Sequence, residues 1–221
     1  MNNLDLETQA TSKFLDQTLG EEIANSISHG IALALSITGL IFLIFKGIAK
    51  SDTTAIIAYV IYGISLILLF SSSTFSHALT HNKAKKLFQL MDYITIYILI
   101  AGSYTPVLLL GLNTFSAWVI FYINWAIVLF GIIFKLFYLG KKELVSNVLY
   151  LLMGWSGIFL FKDMSTLLPG PFIYFVIVAG VLYTLGLGFY LAVKLPYHHL
   201  IWHLFVLAGS ISLFLGVLFF I

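Results

Sequence analysis

His199 and His203 lie four residues apart, a spacing that stacks two imidazoles on one helical face. A helix offers two nitrogens to a single zinc ion in that way. Far earlier in the chain stands His77, with Ser73 one turn before it. Three histidines without a fourth protein ligand make the open coordination of a catalytic zinc site, whose last position is left to water. Asp92 is the acid that such a site would use, to orient the water or act as general base. Ser73 and the metal would then stabilise an oxyanion. His81 is also four residues from His77 and could replace it as ligand, but beside Asn82 and Lys83 it reads as an exposed loop residue. His198 points away from the 199/203 face, toward headgroups. His29, one turn after Asn25, could line the same cavity, with an interhelical hydrogen bond as the preferred expectation.

These residues have to be positioned by membrane helices. Of the 221 residues, 61% are hydrophobic and only 9% charged, and the mean hydropathy is +1.04. A soluble domain runs nearer 45–50% apolar and about 25% charged, so the chain is read as an all-α integral membrane protein. The absence of cysteine excludes disulfides, thiolate metal sites and catalytic thiols. All eleven basic residues are lysine, and a net charge of +2 gives no basis for binding nucleic acid. Seven apolar runs are each long enough to cross a bilayer, at 26–47, 53–78, 88–111, 115–137, 143–161, 171–193 and 198–220. The breaks between them include Lys162-Asp163 and the uncharged Gly111-Leu112-Asn113. Residues 1–25 form a polar cytoplasmic segment without the features of a secretory signal, and 26–221 form one seven-helix domain.

Lysine placement sets the expected orientation. With seven spans, eight of the eleven lysines fall on the face that holds the N-terminus. The positive-inside rule makes that face cytoplasmic and the C-terminus extracytoplasmic. His77 then ends the second span, Asp92 lies about four residues into the third, and His199 and His203 open the seventh. All reach one depth near the cytoplasmic leaflet. An ionised aspartate at such a depth costs about 2.5–3.5 kcal/mol on insertion scales, so it needs a cation or a bound water. The nearby lysines are expected in loops, which leaves a metal as the candidate. In the third span Pro106 frees the carbonyl of Gly102, which Ser103 or Thr105 would help to satisfy at a kink. Trp118, Tyr197 and Trp202 suit interfacial belts.

Ser73-x3-His77, an aspartate on the next helix and His199-x3-His203 resemble the signature of the hemolysin III branch of the progestin and adipoQ receptor family. Alkaline ceramidases share that signature more distantly. The run Glu21 to Gly30 resembles the family's first-span opening. Asp92 followed by Ile100 to Pro106 resembles its third span, and Ile201 to Ser210 its seventh. The resemblance implies a seven-helix bundle with zinc held by His77, His199 and His203 near the cytoplasmic leaflet, and with Asp92 and Ser73 around the zinc-bound water. Two positions depart from the pattern: Leu213 stands where a histidine is often found, and Tyr93 follows the aspartate where bacterial members often have histidine.

The leading expectation is a zinc-dependent intramembrane hydrolase acting on a lipid amide or ester, with membrane lipid as its partner. The alternatives are a non-enzymatic, zinc-stapled sensor of membrane state and, on the family name alone, a pore-forming cytolysin. A retinal-binding pump is excluded, because every lysine lies near a helix end. Abundant Ile, Phe and Lys without Arg suggest a bacterial cell membrane.

Overall fold

Each apolar run is helical in the computed structural model, which describes residues 17–80 and 82–221. In chain order the helices are α1 (Leu19–Ala49), α2 (Thr53–Ala78), α3 (Asn82–Pro106), α4 (Phe115–Tyr138), α5 (Glu143–Trp155), α6 (Phe161–Leu167), α7 (Gly170–Leu191) and α8 (His198–Phe220). A π-helical turn, Val107–Leu112, extends α3, and a 3-10 turn, Ser156–Leu160, joins α5 to α6. The described residues thus contain seven stretches long and apolar enough to cross a membrane, and no strand. With no water in the hydrocarbon to satisfy the backbone, spanning segments close their hydrogen bonds internally, as helices do.

Three of the helices, α1, α2 and α4, begin at residues whose side chains cap the first free N–H groups. Thr18 and Glu21 form a reciprocal capping box on α1. Asp52 accepts from the Thr54 N–H on α2, and Thr114 from Ala117 N–H on α4. Two starts differ from the apolar runs. α1 begins at Leu19 rather than 26, and α3 at Asn82 rather than 88. The added turns are amphipathic, so hydropathy alone does not register them. Asp92 therefore sits ten residues after Asn82, about 15 Å along the axis, rather than about four residues in.

The other differences lie on the opposite half of the bundle. Lys162 and Asp163 do not break the fifth span: both lie in α6, and the turn comes at Leu168-Pro169. Asp163 is held there by a hydrogen bond from Thr114 Oγ1, 3.0 Å. After Pro106 the backbone widens into the π-turn, which ends at Asn113 in the left-handed conformation, its N–H bonded to Leu108 O at 2.9 Å. Ser103 and Thr105 do not serve the Gly102 carbonyl; they bond to Ile100 O (2.8 Å) and Ala101 O (2.9 Å).

The packing order makes a ring. α1 packs on α2, α2 on α3, α3 on α5, α5 on α7, α7 on α8, and α8 returns to α1, while α4 flanks α3 from outside. Small residues permit the closest approaches: a Cβ on Gly102 of α3 would lie 2.5 Å from Ser65 Oγ of α2. The ring leaves its centre open.

Candidate metal centre

That centre is a cavity of about 510 Å³. Its polar end lies where α1, α3 and α8 begin and α2 ends, and it is lined there by Glu22, Ser73, His77, Asp92, His199 and His203. The side chains of His77, His199 and His203 each bring one ring nitrogen within 4.8 Å of the others. The ring centroids of the His199/His203 pair are 4.5 Å apart, and His77 stands 5.1 Å from each. One turn of α8 supplies the pair, as its spacing predicts. The end of α2 supplies the third ring from across the cavity.

The donor set fits a metal ion. His77 engages Glu22 Oε2 through Nδ1 at 2.6 Å, which leaves Nε2 buried and without a hydrogen-bond partner among the described residues. A buried polar atom without a partner is costly, and native proteins rarely leave one without a reason. Asp92, from α3, faces the Ser73 and Ser76 hydroxyls. The Ser73 hydroxyl is fully buried and makes no well-formed hydrogen bond with any described residue. Both residues therefore bring polar groups into the cavity beside the three imidazoles.

Two lysines near this end are already committed. Lys85 lies in the first turns of α3, not in a loop, and binds Glu22 Oε1 at 2.5 Å. Lys135 is also helical: it is fully buried in α4, 2.7 Å from Glu143 Oε2 and 4.2 Å above the Tyr93 ring. Each ammonium is matched by a glutamate. The expectation of a loop thus fails for Lys85, whereas Lys135 lies in a helix as the run 115–137 implies; Asp92 still lacks a lysine partner in any ion pair seen among the described residues.

The remaining histidines divide. His29 is buried and stacked on His203, centroids 3.6 Å apart and planes 12° from parallel. Neither of its ring nitrogens has a hydrogen-bond partner among the described residues, so it lines the cavity instead of bridging helices. His198 is half-buried and edge-on to His199, 6.2 Å away, not turned out to headgroups. His81 lies outside the described residues. Glu22 is the participant that spacing did not single out. It sits one turn before Asn25 and two turns before His29 on α1, and that i, i+3, i+7 pattern is the signal that could have found it.

Beyond the histidines the cavity turns apolar, lined by Val107, Leu108, Leu112, Leu160 and Met164. His203 and Leu213 both line it, ten residues apart on α8, which is about 15 Å of helix. At Leu213 the leucine keeps this depth apolar. Trp202, half-buried in the first turns of α8, packs on the core and lines the cavity. Tyr93 lines it too, and its carbonyl accepts from Tyr150 OH at 2.9 Å.

Comparison with known proteins gives a consistent picture. A family described as haemolysin-III related matches residues 17–214. The chain is 42% identical to the hemolysin-3 homolog of Bacillus subtilis (strain 168) over 203 residues, 92% of this chain and 95% of the relative. It is also 42% identical to hemolysin-3 of Bacillus cereus over 207 residues, 94% of each. A more distant similarity, 30% over 203 residues, covers 87% of this chain and 81% of the human monocyte to macrophage differentiation factor.

Proposed function

The chain belongs to the haemolysin-III related family of multi-pass membrane proteins, and from that premise we propose that it is a zinc-dependent hydrolase of a lipid amide or ester. One observation carries the proposal: three convergent imidazoles, an aspartate and an unpartnered serine hydroxyl share a cavity that continues into an apolar channel. His77, His199 and His203 would hold the ion. Zinc bound by three imidazoles supplies Lewis acidity, toward a carbonyl oxygen and toward water, at neutral pH.

The chain's own groups do the rest. Asp92, facing the serine hydroxyls and not bound to a lysine, takes the proton of the attacking water and returns it to the leaving amine or alcohol. The Ser73 hydroxyl donates to the carbonyl oxygen as that oxygen gains charge. The apolar stretch from Val107 to Met164 takes the acyl chain, and Lys86 and Gln89 at the cavity's polar end face the headgroup side. The lysine bias supports a position of this end in the cytoplasmic leaflet. Zinc-loaded protein should release fatty acid from at least one member of a panel of lipid amides and esters, and no release from any member overturns the proposal.

A structural role for the ion has its own support. α2 and α8 carry all three imidazoles, yet α1 stands between them in the ring. A zinc ion there would staple two spans that do not pack side by side. If Asp92→Asn keeps both zinc and full function in the cell, the staple is the better account.

A further inference from the structure

α1 contributes no imidazole to the cluster, yet it touches two of the three. Glu22 Oε2 meets His77 Nδ1 at 2.6 Å while Glu22 Oε1 meets Lys85 Nζ at 2.5 Å. At His203, Ser28 Oγ stands 3.5 Å from Nδ1 and the His29 ring lies flat against the imidazole. The Glu22 contact is the short one. A carboxylate only accepts hydrogen bonds, and the ammonium of Lys85 on its second oxygen keeps it a carboxylate. The proton shared with His77 therefore sits on Nδ1.

We propose that Glu22 is a positioning residue: its bond to Nδ1 fixes the His77 tautomer and ring orientation, and so turns a bare Nε2 toward His199 and His203. The Nε2 atom is the one left buried without a partner, as this assignment requires. Without Glu22, His77 is free to protonate Nε2 or to rotate about its side-chain bonds, and either change removes the third donor from the cluster. Lys85 holds the carboxylate from α3, so the first turns of α1 and α3 form one bracket around the ligand on α2. The consequence for metal binding rests on the zinc reading above, but the tautomer does not. Carboxylates that orient a ligating histidine typically account for 10- to 100-fold in metal affinity.

Two measurements on purified full-length protein test this. The first uses metal-free protein labelled with 15N-histidine, in which the His77 nitrogen shifts report the tautomer. Wild type and Glu22→Gln should show Nδ1–H, because glutamine still offers an accepting oxygen, and Glu22→Ala should show a mixture. The second is zinc affinity by chelator competition. Glu22→Ala should bind 10- to 100-fold more weakly, Glu22→Gln should recover most of the loss, and Lys85→Met should lose clearly less than Glu22→Ala, because the Glu22 carboxylate still faces Nδ1. An unchanged His77 tautomer in Glu22→Ala overturns the proposal. So does a Lys85→Met loss of affinity equal to that of Glu22→Ala, which would make Glu22 only a strut between α1 and α3. Wild-type protein that binds no zinc while the tautomer still responds to Glu22→Ala would overturn the zinc reading and leave the positioning role standing.

Discussion

α1 and α8 run side by side, and their two ends are built on opposite principles. At one end, Lys46 Nζ donates to the carbonyls of Val217 (3.0 Å) and Leu218 (2.6 Å), and Lys50 Nζ to that of Ile221. The last carbonyls of a helix have no intrahelical partner and carry the negative end of its dipole. Two ammonium groups from the neighbouring helix satisfy both needs. At the other end, Glu22, Ser28 and His29 of α1 approach imidazoles of α2 and α8, and several ring nitrogens have no hydrogen-bond partner among the described residues. One end is closed by the chain itself. The other gathers three imidazoles that could hold a metal ion. What sets this end apart is that its open atoms include imidazole nitrogens, gathered beside three rings that could hold one metal ion.

The contrast can be broken or sharpened by experiment, taking the largest expected effect first. Asp92→Asn should cut lipid hydrolysis by about 10²–10⁴, the usual range for losing a general base, while zinc content by elemental analysis stays at the wild-type level. Chelation should lower the melting temperature of wild type, since a ligand at about 1,000 times its Kd contributes about 4 kcal/mol. His203→Ala should melt at one temperature with or without chelator. Lys46→Met should cost about 1–2 kcal/mol by leaving helix-end carbonyls unpaired, and zinc affinity should not change, because the finished end is independent of the site. Gly102→Ala should also destabilise, by about 1–3 kcal/mol, as its Cβ meets Ser65 between α2 and α3. A loss of zinc in Lys46→Met would show that the two ends are not separate.

Much of this was legible in the chain itself. Unbroken apolar runs mark the second, fourth, sixth and seventh spans to within two residues of their helices. The His199/His203 spacing points to a shared face. Amphipathic turns hid the true starts of α1 and α3, since Glu21, Glu22, Lys83 and Lys85 read as loop until something pairs them. The same polarity made Lys162-Asp163 look like a break. Lys85 was misplaced for a related reason: a long charged side chain near a helix end reads as loop unless its partner is known.

The sequence by itself determined the membrane class, the number of crossings and which residue types could bind a metal, because hydropathy and helical spacing are local properties. Only the tertiary structure decided that His77 meets the 199/203 pair, that His29 stacks on His203 and that Glu22 grips His77. Those contacts depend on how each helix is rotated about its axis and on which helices adjoin in the ring. Both are set by packing summed over the whole bundle, with Gly102 against Ser65 among the closest approaches, and no single stretch of sequence encodes them.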